Sequence, residues 1–438
     1  MAPTPALLIA EELHKRGYMA WLVGGCVRDL VLGCEPKDYD IATDATPGAL
    51  LQIFPRAQLV GAQFGVILVD GVEVATFRSD HSYQDGRHPG QVVFEKDPRQ
   101  DVLRRDFTIN ALLLDPAHLD DPAGHVVDYV GGLDDLRNKV IRAIGDPAQR
   151  FQEDHLRMLR AVRFAARLGF KIDAATLASI RELHARIRRV SPERIRDELS
   201  RILTEGGARR GFELLDCSGL LEDVLPEIGA MKGVQQPPEF HPEGDVWTHT
   251  LIMLEGLHNA TPTLAWGVLL HDVGKPGTFR IAGRIRFDGH VELGERIARD
   301  ILTRLRFSNA DIDQIVALIH NHMRFTHVQQ MRESTLKRML RMDRFEEHLE
   351  LHRLDCASSH NNLDNYQFVK SKFEHAPPEL LRPPRLVTGD DLIAAGYRPG
   401  PDFSRMLEVA EDAQLESRIQ TKEEGLELVR LLFGSPDS

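Results

Sequence analysis

Hydrophobic positions near the start of the chain come in short runs. Met19 to Val23 is apolar and ends at Gly24-Gly25, which predicts a buried strand running into a turn. Cys26 to Leu32 then suits a helix. The apolar Ile41-Ala42 follows Asp38-Tyr39-Asp40, so a second strand is expected there, with Asp38 and Asp40 on one face. Thr46-Pro47 is a helix start, Thr as N-cap and Pro in the first turn. Phe64 to Phe77 reads as a hairpin around Asp70-Gly71. Upstream, Leu7, Leu8, Ala10 and Leu13 recur at helical spacing. Strands interleaved with helices predict an α+β head, a mixed sheet with helices, over residues 1–140.

Periodicity then turns helical. Phe151, Leu156, Leu159, Val162 and Phe164 form an apolar stripe, with Glu153, Asp154 and Arg157 on another face. Asp154 and Arg157, three apart, are expected as neighbours on one helix surface. Ser191 is expected to cap a helix that Pro192 opens. The pattern predicts an all-α neck over 141–230, a helical domain over 231–375, and a helical tail over 376–438, read as two helices joined at Gly396–Gly400. Arg78 to Gln100 is polar and reads as a mobile loop.

Composition changes little of this. The chain has 438 residues, ordinary globular content and a formal net charge of −12. Charge is uneven, however. Arg150 to Arg210 holds fifteen Lys and Arg against eight Asp and Glu. That basic stretch fits an RNA backbone and equally a solvated helical face. Cys26, Cys34, Cys217 and Cys356 are scattered, as in reduced cytosolic thiols. No signal peptide or membrane-length apolar run is evident, so a cytoplasmic location and no membrane partner are expected.

The candidate chemistry begins at the first turn. Gly24-Gly25 lets backbone approach a ligand, and the following helix start favours an anion such as a phosphate. Arg28 offers a fork of donors to phosphate oxygens. Asp38 and Asp40 supply the paired carboxylates that Mg²⁺ takes together with substrate phosphates. Glu73 is a third carboxylate for the same metal or a surface ion pair. Arg104 and Arg105 suit a triphosphate, and Asp106 suits a ribose hydroxyl; a salt-bridged helix cap fits the same three residues. Asp154 and Arg157 have the donors and acceptors to read the edge of C or A, or they form an ordinary ion pair.

The strings GGCVRD and KDYDIATDATP resemble the class II tRNA nucleotidyltransferases, the CCA-adding enzymes and related poly(A) polymerases. RRDFTINA, DPAGHVVDYVGGLDDL, EDHLR with RFAARLGF, and SPERIRDEL resemble further motifs of that family, in the family's order. The resemblance implies an enzyme that extends the 3′ end of tRNA with CTP and ATP, without a template. It assigns Asp38 and Asp40 to catalytic Mg²⁺. Gly24, Gly25, Arg28, Arg104 and Arg105 would seat the triphosphate, Asp106 would check the ribose, and Glu153, Asp154 and Arg157 would belong to the base-selecting helix.

Two alternatives within the family are an A-adding enzyme and a poly(A) polymerase. CC-adding members lack a loop corresponding to Arg78–Gln100, so the tract DHSYQDGRHPGQV argues against CC-only addition and leaves CCA and A-only addition open. The stretch GAQFGV (61–66) lacks the basic pair of the poly(A) relatives.

A second constellation follows in the C-terminal half. His249, the adjacent His271-Asp272 ending an apolar helix, His290, His322 and Asp355 suit a divalent transition metal. Lys275 is placed to meet phosphate, and His320 is expected to be structural. The order resembles the HD phosphohydrolase domain, which implies a metal-dependent phosphohydrolase. A third alternative is therefore an HD hydrolase whose N-terminal half only grips RNA.

Overall fold

The computed structural model describes residues 5–61, 65–81, 90–239, 241–377 and 383–436. The chain forms two compact units. One comprises Met1–Ala230 with Leu257–Asn259 and Ile301–Phe307; the other comprises Met231–Gly256, Ala260–Asp300 and Ser308–Ser438.

The first unit opens with helix α1 (Pro5–Lys15), whose Ala6, Ile9, Ala10 and Leu13 are buried. Strand β1 (Ala20–Val23) leads into α2 (Gly25–Val31), then β2 (Asp40–Thr43) and α3 (Pro47–Ile53). Thr46 caps α3 by accepting from the Ala49 N–H, with Pro47 in the first turn as expected. Next come β3 (Gln58–Gly61), β4 (Val66–Val69) and β5 (Val72–Thr76). The β4–β5 hairpin turns at Asp70-Gly71, both at positive φ. Phe64, where the hairpin was expected to start, lies outside the described residues, as do Ala62 and Gln63 of the GAQFGV stretch.

The polar stretch read as a mobile loop is a β-ribbon at its base. Strand β6 (Arg78–His81) pairs antiparallel with β7 (Gln91–Phe94), from Arg78↔Phe94 to His81↔Gln91. Composition hid this, because both strands are short and the stretch between and around them is polar. The middle of the DHSYQDGRHPGQV tract lies outside the described residues. Helix α4 (Pro98–Leu103), capped by Asp97, follows the ribbon.

Strand β8 (Leu113–Leu114), α5 (Pro122–His125), β9 (Val126–Val127) and α6 (Gly132–Arg137) complete the head. The principal sheet has order β3-β4-β5-β2-β1-β8-β9, and it is mixed: β2 runs parallel to β5, the other pairs antiparallel. Its apolar face buries Val23, Ala42, Phe77, Val102, Ala111, Leu113 and Ile144. Gly131 and Gly132 serve the turn into α6, where Asp128 accepts from the N–H groups of Val130, Gly131, Gly132 and Leu133.

The neck is helical apart from one strand pair. Strands β10 (Val140–Ile141) and β11 (Lys171–Ile172) run parallel. Between and after them lie α7 (Pro147–Glu153), α8 (Arg157–Leu168), α9 (Ala174–Leu183), α10 (Pro192–Thr204), α11 (Ala208–Cys217), α12 (Leu220–Val224) and α13 (Pro226–Gly229). The stripe Phe151, Leu156, Leu159, Val162 and Phe164 is buried as the periodicity requires. Ser191 stands at the N-cap of α10 with Pro192 first in the helix, but its side chain makes no capping bond.

In the second unit, α14 (Val246–Glu255), α15 (Pro262–Leu270) and α16 (Lys275–Thr278) precede a hairpin of β12 (Arg280–Ala282) and β13 (Arg284–Arg286). Then come α17 (His290–Arg304), α18 (Asn309–Asn321), α19 (Glu333–Leu340), α20 (Phe345–Ser358) and α21 (Asp364–His375). The tail helices Gly389–Ala394 and Asp402–Leu415 match the expected pair. A third, Lys422–Phe433, opens on a capping box of Thr421 and Glu424. All four cysteines are free. No helix among the described residues is long and apolar enough to cross a membrane.

Candidate functional sites

In the head, β1 ends where β2 begins: Val23 pairs with Asp40. Gly24 therefore lies beside the Asp40 carboxylate. Its φ of 78° belongs to glycine. A Cβ there would sit 3.5 Å from Arg105 Nη1 and 3.8 Å from Asp40 Oδ2. The parallel register Ile41↔Val74 sets Glu73 next to Asp40 on the neighbouring strand. Burial, with the negative charges of Glu73 and Asp38 added, pushes Asp40 up from 3.8 to about 6, while Arg105 pulls the other way. Asp38 is exposed and precedes the strand, which starts at Asp40, so the two aspartates converge from a loop and a strand end rather than along one strand face. Asp40, with the carboxylates of Asp38 and Glu73 bearing on it, gives a donor set suited to a hard divalent cation.

Behind this group, Asp101 holds both arginines of the RRD triplet. Its carboxylate is 0% exposed. Arg104 Nη2 and Nε donate to Oδ1 at 2.5 and 2.8 Å, and Arg105 Nη2 and Nε donate to Oδ2 at 2.9 and 3.2 Å. Burial pushes Asp101 up, and the two guanidinium groups outweigh it and hold the carboxyl below its ordinary value. The sequence reading missed Asp101, although an acid three residues before one arginine and four before the next was a signal for it.

Two expected ligands turn inward. Arg28 is 2% exposed, bonded to Asp29 Oδ1 through Nε at 2.8 Å and to Asn110 Oδ1 through Nη1 at 2.7 Å. Its donors fix the start of α2 instead of facing solvent. Asp106, expected at a ribose, is 8% exposed. It accepts from the Phe107 N–H at 2.8 Å, from Asn110 Nδ2 at 3.3 Å and from Arg160, with Nη2 at 2.6 Å. Burial raises Asp106, but Arg160 more than reverses that and holds it at about 2. Oδ1 is held by Phe107 and Asn110 of the head and Oδ2 by Arg160 of the neck, so the carboxylate works as a clamp between head and α8.

The expected continuous helix around Asp154 and Arg157 is broken. Helix α7 ends at Glu153, Asp154 adopts an extended backbone, and α8 starts at Arg157. The cause is local: Asp154 Oδ1 accepts from the Leu156 N–H at 3.1 Å, a turn that competes with helix. Asp154 Oδ2 accepts from Arg194 at 2.8 Å. Arg157 donates to Glu153 at 2.7 Å, to the Arg150 carbonyl at 3.0 Å and, through Nη2, to the Arg104 carbonyl at 3.0 Å. The last bond ties the base-reading candidates to the arginine pair.

The second unit gathers all six expected HD residues. Helix α15 is buried from Thr263 to Leu270, and His271 and Asp272 follow at its end. Gly274 has no room for a side chain, because a Cβ would collide with the His290 carbonyl; this brings α17 against the His-Asp turn. His249 Nε2 lies 3.2 Å from Asp355 Oδ1, and His271 Nε2 lies 3.0 Å from Asp272 Oδ2. Asp272 Oδ1 faces His290 Nε2 at 3.8 Å and His322 Nε2 at 3.9 Å. Two donor groups result: His249, His271 and Asp355; and Asp272, His290 and His322.

The ring orientations fit a metal. Nδ1 of His271, His290 and His322 lies 2.8, 2.9 and 2.6 Å from the carbonyls of Val268, Phe287 and Ile319. A carbonyl only accepts, so each Nδ1 carries the proton and each Nε2 presents a lone pair. Those Nε2 atoms, with that of His249 and with Asp272 Oδ1, are buried without a hydrogen-bond partner. Burial lowers His322 to about 4, which keeps it neutral. Burial also lowers His249, but Asp355 and Glu243 raise it to about 9: the two carboxylates favour a positive charge at this ring. Glu243, missed from sequence, accepts from Nδ1 of His249 at 2.7 Å and of His241 at 2.9 Å. Lys275 is 7% exposed and bonded to Asp272 and Gln236, each at 2.7 Å. His320 lies outside the cluster and pairs with Glu295.

Comparison with known proteins agrees with this division. Residues 20–142 match the poly A polymerase head domain, 169–231 the probable RNA and SrmB-binding site of polymerase A, and 246–350 the HD domain. A CCA-adding enzyme of Bacillus pumilus is 37% identical over 275 residues, 62% of this chain and 64% of that protein. One from Limosilactobacillus fermentum is 42% identical over 261 residues, 57% of this chain and 63% of that protein. These matches span just under two thirds of the relatives' length. Among solved structures, the Bacillus stearothermophilus CCA-adding enzyme in complex with CTP aligns at TM-score 0.73 and 25% identity, over 98% of this chain and 99% of that one. A Thermotoga maritima CCA-adding enzyme complexed with tRNA aligns at TM-score 0.56 and 18% identity, over 97% and 94%, and shares the fold.

Proposed function

We propose, from the premise that the chain belongs to the tRNA nucleotidyltransferase and poly(A) polymerase family and carries an HD domain, that it adds the terminal CCA to tRNA from CTP and ATP without a template. One observation carries this reading: Asp40, crowded by Glu73 and Asp38 and faced by Arg105, stands directly beneath the Gly24 turn. Residues 1–140 serve as the catalytic head, 141–230 as the nucleotide-selecting and RNA-binding neck, 231–375 as the HD domain and 376–438 as the tail.

In this reading Asp38 and Asp40, with Glu73 beside them, hold Mg²⁺. Such ions, when bound, activate the terminal 3′-hydroxyl and stabilise charge developing at the α-phosphate. Gly24 and Gly25 let the triphosphate approach the backbone, and Arg104 and Arg105, aligned by Asp101, face its oxygens. Arg28 fixes the turn from behind. Asp154 and Arg157 read the edge of C or A, with Arg157 reporting to Arg104 through its carbonyl bond. The HD residues His249, His271, Asp272, His290, His322 and Asp355 would hold a divalent transition metal, which would supply a hydroxide nucleophile for phosphate ester hydrolysis. The protein works in the cytoplasm on tRNA.

Two variants separate the halves. Asp40→Ala is expected to abolish nucleotide addition and leave metal-dependent hydrolysis of p-nitrophenyl phosphate intact. Asp272→Ala is expected to do the reverse. Addition that survives Asp40→Ala overturns the assignment of the head.

A further inference from the structure

The chain between Lys275 and His290 does more than connect two residues of the HD cluster. It rises as the β12–β13 ribbon, closed at Gly283 with φ 70°. Its register, Arg280↔Arg286, Ile281↔Ile285 and Ala282↔Arg284, sorts the side chains onto two faces. One face carries Arg280, Arg284 and Arg286. The other carries Ile281 and Ile285, with Phe279 and Phe287 at the root, ring centroids 6.0 Å apart. This apolar face is open: Ile281 is 74% exposed and Phe279 40%. Asp288 pairs with Arg280 and Arg286 and is the one acid between Lys275 and His290, so the ribbon keeps a positive excess. Arg284, at the tip, has no ion-pair partner among the described residues.

Both legs are rooted in the HD centre. The Phe287 carbonyl holds His290 Nδ1 at 2.9 Å, and Lys275 Nζ lies 5.3 Å from the Phe287 ring while bonded to Asp272. A molecule lying on the ribbon therefore has one end at the metal ligands.

We propose that this ribbon docks the single-stranded 3′ end of an RNA whose terminal phosphate ester enters the HD centre. This rests on the hydrolase reading above and names its substrate class. Exposed aromatic and aliphatic side chains offer a platform on which bases stack in any sequence. Guanidinium groups without matching acids attract the backbone phosphates. At about 3.3 Å per residue, Gly283 stands on the order of 13 Å from Phe279. That reach suits several linked nucleotides and exceeds what a free mononucleotide occupies.

The test titrates full-length protein, in chelator, with a 5′-fluorescein-labelled oligoribonucleotide ending in a 3′-phosphate, and reads anisotropy at two salt concentrations. Phe279→Ala with Ile281→Ser is expected to weaken binding roughly tenfold. Arg284→Ala is expected to reduce the slope of log affinity against log salt by about 0.7. Neither change alters hydrolysis of p-nitrophenyl phosphate with Mn²⁺ or extension of tRNA. Wild-type affinity in the variants overturns the proposal. So does a change in self-association by sedimentation with RNA affinity intact, which marks the ribbon as a protein-binding face. If wild-type protein fails to hydrolyse p-nitrophenyl phosphate with Mn²⁺, Co²⁺ or Ni²⁺, the hydrolase reading falls, and the anisotropy result still decides the ribbon.

Discussion

Replacing Arg160 with Met removes the partner of a carboxylate that is 8% exposed. Asp106 is held at about 2 against an ordinary 3.8. At about 1.4 kcal/mol per pH unit, that is on the order of 2 kcal/mol of stability at neutral pH. Stranding the charge costs more than losing the pair, typically 3–5 kcal/mol for buried partners. The Arg160 side chain is 32% exposed, so water reaches the site and the low end, about 3 kcal/mol, applies. For a unit of this size that lowers the first thermal transition by roughly 6–12 °C. The sign follows from the depressed pKa. The pair's contribution is complete above the unfolded value of about 3.8 and fades as pH falls through about 2. The deficit of Arg160→Met is therefore full at pH 7 and shrinks as acid protonates the stranded Asp106 carboxyl, which burial raises once Arg160 is gone. In an Asp106→Asn background the same substitution costs much less, because no charge is stranded. Asp106→Asn itself lowers the melting temperature and leaves discrimination between CTP and dCTP unchanged. A deficit that is flat with pH, or an Asp106→Asn protein that melts normally but accepts dCTP, refutes the clamp and restores the ribose contact.

Further predictions concern both metal centres. Glu73→Gln removes a negative neighbour that raises Asp40, so the acid limb of nucleotide addition, set by Asp40 near 6, moves to lower pH; a pH profile in saturating Mg²⁺ checks this, and an unmoved or raised limb contradicts it. Gly24→Ala places a side chain at φ 78° beside Asp40 and Arg105 and lowers kcat for addition at least tenfold, with the thermal transition of the second unit unchanged. Glu243→Gln loosens the orientation of His249 and weakens metal binding to the HD cluster about 10–100-fold by isothermal titration, while tRNA extension persists.

Much of the architecture was legible because short apolar runs and turn residues act locally. The Met19–Val23 run, the Asp70-Gly71 hairpin and the Phe151–Phe164 stripe each depend on neighbours in sequence, and each formed as the pattern required. The HD cluster was legible for a different reason: imidazole and carboxylate side chains at helix ends have few other uses in that density. What stayed hidden was set by distant partners. Nothing near Asp106 announces Arg160, and nothing near Arg28 announces Asn110, so both looked like free ligands. Asp101 and Glu243 were overlooked because they act by holding other side chains, Arg104 and Arg105 in one case and His241 and His249 in the other. The break at Asp154 arose from a side chain taking the Leu156 N–H, a competition that apolar periodicity does not register. The β6–β7 ribbon has only four residues per strand set in a long polar stretch, so its composition resembled a loop.

The central claim is that this protein adds the whole CCA without a partner enzyme. Its most direct test uses three tRNA transcripts, ending at the discriminator base, at C and at CC, each incubated with Mg²⁺, CTP and ATP, together and singly, and read at nucleotide resolution. All three are predicted to reach CCA and stop, with CTP alone carrying the first transcript no further than CC. Growth of the CC-ended transcript alone, by a single A, contradicts the claim and makes this an A-adding enzyme; a long A ladder contradicts it in favour of a poly(A) polymerase.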